Sequence, residues 1–78
     1  MDNLKRLPEL GAGQKGIVKK VLGGRHFVQR LAEIGIPVGT ELRVVRGKCP
    51  MIIEVKNQRL VLGRGMVDKI QVESLSAD

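Results

Sequence analysis

The sequence predicts an all-β (mainly β) fold, a small and strongly bent barrel of five short strands with one short α-helix. Short runs rich in β-branched residues alternate between two faces, and glycine, proline or polar turns separate them. Only one stretch has the period of an amphipathic helix. The connections between the runs are too short for the crossovers of a parallel sheet. The 78 residues are expected to form one domain, residues 1–78, with no internal repeat.

The first ten residues are expected to lead into the domain and to be held on it by leucines. Three leucines are spaced through this otherwise polar segment: Leu4, Leu7 and Leu10. Pro8 limits any helix here to a single turn. We expect residues 1–6 of this lead-in, like the tail at 75–78, to be flexible.

The first strand is predicted over Lys15–Leu22, where β-branched residues and lysines alternate. The alternation gives the strand two faces: Ile17, Lys19 and Val21 on one, and Val18, Lys20 and Leu22 on the other. Paired glycines at Gly23 and Gly24 then end the strand.

A short amphipathic helix is predicted between Gly24 and Gly35. Its apolar residues recur at helical spacing: Phe27, Val28, Leu31 and Ile34. Gly35 is expected to adopt the left-handed conformation of a helix C-terminus, with Ile36 folding back in a Schellman motif. Pro37 prevents continuation of the helix, and Gly39 completes the turn into the next strand.

The remaining strands are predicted at residues 41–46, 51–55, 59–62 and 69–73. The strand at 51–55 places its apolar residues on one face: Met51, Ile53 and Val55. The last strand presents Ile70 and Val72. The turn at 56–58 is polar, and Gly63 opens a glycine-punctuated corner, or a single helical turn, before the last strand.

The composition favours a basic, aliphatic and intracellular domain. Phe27 is the only aromatic residue, so we expect an aliphatic core. The lone Cys49 excludes an intrachain disulfide and fits a reducing compartment. The absence of a secretory signal and of a membrane-spanning stretch predicts a cytoplasmic protein without membrane insertion. The net charge of +6 favours nucleic acid, acidic protein faces or anionic lipid as partners, with a merely solvated surface as the alternative.

Two glycine-containing stretches resemble nucleotide-binding motifs, but neither meets the requirements of such a site. Gly11–Gly16 satisfies G-x-G-x-x-G, but a strand follows it instead of the helix whose N-terminus would bind pyrophosphate. Arg46–Pro50 contains a Gly-Lys pair, but Leu42 and Cys49 stand where a phosphate loop needs a glycine and a hydroxyl residue. We predict no cofactor.

The residues do not support catalysis or a dedicated metal site. His26 is the only imidazole and Cys49 the only thiol, and no third residue is placed to orient a Cys–His pair. Paired ligand spacing such as C-x-x-C is absent, which leaves only adventitious metal at an interface open. The chain is predicted not to be an enzyme.

Nucleic-acid binding is the main alternative to a protein-binding role. Seven basic residues could contact phosphates: Arg25, Arg30, Arg43, Arg46, Lys48, Arg59 and Arg64. The chain has no Tyr or Trp, and the helical pattern assigns Phe27 to the core, so single strands have no stacking platform. We therefore expect no nucleic-acid partner.

Two stretches, RLAEIGIPVGTELRVV at 30–45 and LVLGRGMVDKIQV at 60–72, resemble the FeoA family, the small cytoplasmic partners of the ferrous iron transporter FeoB. The similarity runs from about Leu7 to Val72. Its ordered features are Arg30-Leu31, Gly35, Pro37, Gly39, Pro50, and Leu62-Gly63-Arg64 followed by Ile70 and Val72. One departure is Val67, where the family commonly has alanine.

The resemblance implies an SH3-like barrel without catalytic activity that supports ferrous iron uptake and iron homeostasis. It also implies protein–protein interaction with the cytoplasmic GTPase-bearing region of FeoB. Similar barrels occur as C-terminal domains of metal-dependent repressors, so a regulatory or nucleic-acid-binding module is the alternative. The edge strands of so small a barrel leave self-association open as well.

We predict that partner binding uses Arg30, Leu31, Arg64 and Met66. Arg30 lies on the polar helical face, where it could meet an acidic partner. Arg64 and Met66 lie in a glycine-rich corner, where side chains tend to be presented outward and methionine adapts to varied partners. Leu31 fits a wholly buried core residue equally well. The turn residues are expected to be structural: Gly24, Gly35, Pro37, Gly39 and Gly63.

Overall fold

The structure, a computed structural model, describes residues 4–48 and 50–75 as one antiparallel six-stranded sheet with short helical segments. Its strands are β1 (Leu4–Arg6), β2 (Lys15–Val21), β3 (Glu41–Arg46), β4 (Met51–Val55), β5 (Gln58–Leu62) and β6 (Ile70–Ser74). The helices are a 3-10 turn (Leu7–Glu9), α1 (Gly24–Ile34) and α2 (Arg64–Val67). The order β1-β6-β2-β3-β4-β5 makes β1 and β5 the edges. The predicted mainly β class is confirmed, while the expectations for residues 1–3, Cys49 and 76–78 lie outside the described residues.

The lead-in contributes a sixth strand that the sequence did not predict. β1 pairs antiparallel with β6, and Lys5 lies opposite Val72. The strand is missed because all three of its residues are exposed, so no alternation marks it. The 3-10 turn that follows contains Pro8, and the buried side chains of Leu7 and Leu10 hold this segment on the core, as predicted.

Two irregularities bend the sheet into a barrel-like shape with open edges. The register shifts between Val18 and Lys20 where β2 pairs with β6, and between Val44 and Arg46 where β3 pairs with β4. An extra residue on one strand increases the local twist and reverses which side chains face inward. Consequently Val21 packs against the core, although strict alternation from the buried Val18 would have turned it outward.

The curled sheet encloses an aliphatic core. Its buried side chains are Leu7, Leu10, Val18, Leu31, Ile36, Leu42, Val44, Met51, Ile53, Val55, Leu62, Val67, Ile70 and Val72. The predicted inward faces of β4 and β6 are thereby confirmed. No polar or charged side chain of residues 4–48 and 50–75 is buried. The stability of the domain therefore depends on aliphatic burial and backbone pairing.

A Schellman motif ends α1, as the sequence predicts. Gly35 has φ +106, in the left-handed region. The N–H of Ile36 donates to the carbonyl oxygen of Leu31 at 2.9 Å, and the N–H of Gly35 donates to that of Ala32 at 3.2 Å. Leu31 and Ile36 are both buried, which supplies the apolar contact typical of the motif.

Two tight turns lie before β3 and after β4. After α1, the N–H of Thr40 donates to the carbonyl oxygen of Pro37 at 3.1 Å, and Gly39 has φ +98. Between β4 and β5, Lys56 and Asn57 form a two-residue hairpin loop with φ values of +50 and +68. The polar turn predicted at 56–58 is one residue shorter, because its third residue pairs with β4.

The first glycine-rich stretch is also a turn, as its context predicted. The N–H of Gln14 donates to the carbonyl oxygen of Gly11 at 3.1 Å, and Gly13 has φ +90. β2 follows directly, with no helix N-terminus that could meet a pyrophosphate. Gly16 lies within β2, where an added Cβ would be 3.1 Å from Leu10 Cδ1 and 3.2 Å from the Glu73 carbonyl oxygen. This glycine allows the lead-in to pack closely on the sheet.

Gly35 and Gly65 form a matched pair for testing the helix stop, because an added Cβ meets no atom within 4 Å at either. We expect Gly35→Ala to lower the free energy of unfolding by about 1–2 kcal/mol, because alanine is strained at positive φ. Gly65 lies inside α2 without a positive φ, so Gly65→Ala should leave stability unchanged or raise it by up to about 1 kcal/mol. Urea unfolding followed by far-UV circular dichroism measures both, and equal losses would contradict the assignment.

Candidate protein-binding surface

The four residues predicted to bind a partner lie in α1 and α2, and three of them have solvent-accessible side chains. The part of the surface that we call the helix corner consists of α1 and residues 63–69. The N–H of Leu22, just before α1, donates to the carbonyl oxygen of Lys69 at 2.7 Å. Lys69 Nζ lies 5.2 Å from the centroid of the Phe27 ring, within the range of a cation–π contact. The start of α1 therefore lies against the end of the 63–69 segment.

Paired glycines allow this close approach. Gly23 and Gly24 have φ values of +101 and +84, so both lie in the region that favours glycine. An added Cβ at Gly23 would be 3.2 Å from Lys69 Cδ and 3.3 Å from Phe27 Cβ, whereas one at Gly24 would meet nothing within 4 Å. Gly23 thus meets a steric as well as a conformational requirement. Gly63 differs from them, since it precedes α2 with an ordinary φ of −78.

The structure separates the four predicted residues into three exposed or half-exposed ones and one core residue. Arg30 and Arg64 are exposed, and neither belongs to an ion pair among residues 4–48 and 50–75. Met66 is half-buried and packs against the core. Leu31 is 0% exposed. This burial supports the core alternative for Leu31, because the core encloses its side chain. A role of Leu31 in partner binding stays a prediction.

The apolar side of α1 is only partly covered. Leu31 is its one buried residue, and Phe27 and Val28 are half-buried. Ile34 remains 38% exposed, although helical spacing assigned it to the core stripe. The chain turns inward immediately afterwards, at Ile36, and it is this residue that fills the core beyond the helix end. The last turn of α1 consequently leaves aliphatic surface in contact with solvent.

The charges of the helix corner favour an acidic partner. Its exposed cations are Arg25, Arg30, Arg64 and Lys69, and its exposed carboxylates are Glu33 and Asp68. Four cations against two carboxylates would attract an acidic surface and steer its approach. Solvent-exposed pairs of this kind are worth at most about 1 kcal/mol each, so several contacts would be required.

Sequence reasoning missed two features of the helix corner. Lys69, predicted as the first residue of a strand, precedes β6 and lies over Phe27. Nothing local indicates this contact, because the two residues are far apart in the chain. Val67 is fully buried in α2 and belongs to the core, so the extra methyl groups at this position point inward and not toward a partner.

A concave region lies apart from the helix corner and includes residues of β3. An open groove of about 780 Å³ runs between the Pro37–Thr40 turn and the Lys56–Asn57 hairpin loop. In its lining, Arg43 Nη2 donates to Glu54 Oε1 at 2.7 Å. The groove also contains Lys15 and further polar groups but no catalytic arrangement such as a nucleophile beside a base.

The described part of the chain offers no preformed metal centre and no membrane span. Within residues 4–48 and 50–75, no three His, Cys, Asp or Glu side chains are grouped so that they could hold a metal ion. His26, the one imidazole, is exposed on the first turn of α1. Over the same ranges, no helix combines the length and the apolar character that crossing a membrane requires.

Comparison with known proteins connects this architecture to iron transport. The sequence model of the FeoA domain family matches residues 5–74 of this chain. A protein from Methanocaldococcus jannaschii described as a putative Fe(2+) transport protein A is 42% identical over 62 residues, covering 78% of this chain and 76% of the relative. A crystal structure of an iron uptake regulatory protein (FeoA) is 35% identical, with a TM-score of 0.84, covering 92% of this chain and 97% of the other.

A manganese-dependent transcriptional repressor shares the same fold. It is 22% identical, with a TM-score of 0.84, and the match covers 96% of this chain but 44% of the repressor. Together these structures confirm the SH3-like architecture predicted from the sequence. At this level of identity, the likeness to the repressor extends to the fold alone.

Neighbouring residues on α1 separate core packing from surface chemistry. We expect Leu31→Ala to lower the free energy of unfolding by about 2–5 kcal/mol, because it leaves a cavity in a fully buried site. Arg30→Ala should change it by less than about 0.5 kcal/mol, since the side chain is exposed and belongs to no ion pair among residues 4–48 and 50–75. Denaturant unfolding of both variants is the measurement. A Leu31→Ala protein as stable as Arg30→Ala would place Leu31 outside the core.

Proposed function

This chain belongs to the FeoA family of small ferrous iron transport proteins, and we propose that it is a cytoplasmic, non-catalytic accessory protein of ferrous iron uptake. It acts by binding the cytoplasmic GTPase-bearing region of a FeoB-type transporter. The observation that carries the proposal is the match of the FeoA domain over residues 5–74, which is nearly all of the described chain.

The helix corner is the surface that we assign to this interaction. Arg30 and Arg64 are exposed and lack ion-pair partners in the described part of the chain, so an acidic partner could bind them without breaking existing pairs. Met66, two residues after Arg64 in α2, adds a half-buried, adaptable apolar side chain. Leu31 supports the site indirectly, by fixing α1 on the core.

The nucleic-acid-binding alternative has less support. Phe27 is half-buried and its ring carries the Lys69 ammonium, so it is not free to stack on a base. The fold shared with a metal-dependent repressor gives no indication of which surface would face DNA. The basic residues remain able to attract phosphates without sequence preference.

The proposal predicts that the purified domain associates with the cytoplasmic region of its cognate transporter and that this association depends on the helix corner. Arg30→Glu and Arg64→Glu should each weaken binding at least about fivefold, because reversing a charge replaces an attraction of about 1 kcal/mol by a repulsion. Isothermal titration calorimetry measures the affinities. Lys5→Glu on β1, an equal charge reversal outside the helix corner, is the matched control.

Uptake of radioactive ferrous iron by cells tests the function itself. Deleting the gene should reduce uptake, the wild-type chain should restore it, and the Arg30→Glu and Arg64→Glu chains should restore it less well than Lys5→Glu. Unchanged uptake in the deletion strain, together with no association in vitro, would contradict the proposal.

A separate prediction addresses nucleic acid. We expect binding to duplex DNA or single-stranded RNA to be weak and to disappear by about 0.2 M salt, because only phosphate contacts are available. Fluorescence anisotropy of labelled oligonucleotides over a salt series measures it. Tight, sequence-selective binding that persists at physiological salt would favour the regulatory alternative.

A further inference from the structure

The two edges of the sheet differ in how well they are protected against further pairing. β1 has three residues, and Pro8 follows within the adjoining 3-10 turn. β5 has five residues, pairs with β4 without a register shift and contains no proline. Short edge strands, prolines, bulges and charged side chains are the features that block pairing with another chain. β5 has none of the first three, and its one charged residue, Arg59, disfavours pairing only with another cationic strand, so β5 is the more open edge of this sheet.

The hairpin geometry identifies which backbone groups of β5 are unpaired. Val55 and Gln58 close the two-residue loop, and the residues that close such a loop exchange hydrogen bonds. Because hydrogen-bonded and non-hydrogen-bonded pairs alternate in an antiparallel ladder, Arg59 and Val61 direct their N–H and C=O groups away from β4. These two residues form the backbone template of the edge.

The side chains of the same two residues lie on the outer face of the sheet. Val61 is 66% exposed, more than any other large apolar side chain in residues 4–48 and 50–75. It lies opposite the half-buried Ile52, so a small aliphatic patch adjoins the edge. The outer face next to β5 is thus apolar at one position and cationic two residues earlier.

The cation at this edge is not neutralised. Arg59 lies opposite Glu54, but the carboxylate of Glu54 accepts a hydrogen bond from Arg43 on its other side. Neither Arg59 nor Arg46, which lies opposite Ile52, belongs to an ion pair in the described part of the chain. Three arginines and one carboxylate therefore lie on this face of β3, β4 and β5, so the face carries an excess of positive charge next to the open backbone groups.

We propose that β5 is a docking edge for an extended, acidic segment of a partner protein, which adds to the sheet as a seventh, antiparallel strand. Its backbone pairs with Arg59 and Val61. Because the added strand runs antiparallel to β5, its residue opposite Val61 comes two positions before its residue opposite Arg59. The segment therefore carries an apolar residue followed two positions later by Asp or Glu. The inference goes beyond the transporter assignment and does not depend on it.

A second copy of this chain fits the edge less well. Pairing of two β5 strands would bring together two outer faces that each carry excess arginine charge, and like charges close together across strands are destabilising. An acidic segment instead gains ion pairs on the same face.

The test uses the full chain, labelled with ¹⁵N, and an acetylated and amidated peptide, Thr-Val-Thr-Glu-Thr-Glu-Thr, as probe. We expect the largest amide chemical-shift changes at Arg59 and Val61, with saturation at high micromolar to millimolar peptide. The matched peptide with Lys in place of both Glu residues should bind at least about fivefold more weakly. Arg59→Gln should weaken the acidic peptide by about threefold or more, and Lys5→Gln on β1 should not change it.

Two variants at one position isolate the backbone contribution. Val61→Thr keeps the N–H and the β-branched shape, whereas Val61→Pro removes the outward N–H without removing a bond to β4. We expect Val61→Pro to bind the acidic peptide at least about tenfold more weakly than Val61→Thr, with amide spectra of both confirming the native fold. Equal binding by the two variants, equal binding of the two peptides, or shifts centred on β1 would overturn the proposal. Concentration-dependent dimerisation through Val61, measured by sedimentation without peptide, would overturn it in favour of a second copy.

Discussion

The structure depends on enclosing a core that contains only aliphatic side chains. Branched aliphatic residues fill less space than aromatic ones, so the inner face of a single sheet must curl back on itself before its side chains meet. The register shifts at Val18–Lys20 and Val44–Arg46 supply that curvature. The Schellman turn at Gly35 and the buried Ile36 then direct the chain from α1 into the sheet, and Leu31 fixes the helix on it. The helix corner exists because this closure leaves α1 outside the core with one face partly open.

The core contains no buried polar or charged side chain among residues 4–48 and 50–75, so the charged side chains of these residues all lie at the surface. Their arrangement is uneven. Cations without ion-pair partners occur at the helix corner and again beside β5, while Glu54 and Glu73 are each engaged by a basic residue of a neighbouring strand. A small barrel can in this way present two cationic surfaces of different shape, one built from a helix and one from a strand edge. Neither surface carries a free aromatic ring on which the bases of a single strand could stack.

The parts of the fold that local chemistry determines could be predicted from the sequence. The Gly35-Ile36-Pro37 stop, the inward face of β4 and the turn at Gly11–Gln14 all follow from residues within a few positions of each other. The missed features depend on distant partners. β1 forms because β6 offers an edge to pair with, and the reversed facing after Val18 follows from its register with β6. The exposure of Arg30 and Arg64 in the candidate site was predictable, but the burial of Leu31 was not, since helical spacing alone allows a leucine to cover the core or to face a partner.

The position of Phe27 has a consequence for spectroscopy. With no tryptophan or tyrosine in the chain, the near-ultraviolet absorption and fluorescence of this protein arise from one weak chromophore, which lies beneath Lys69 at the start of α1. The core itself is optically silent. In a mixture with a tryptophan-containing partner, nearly all of the emission belongs to the partner, so any change on mixing reports the environment of the partner's own indole rings. A single tryptophan introduced into this chain would be a site-specific reporter without background from its own protein.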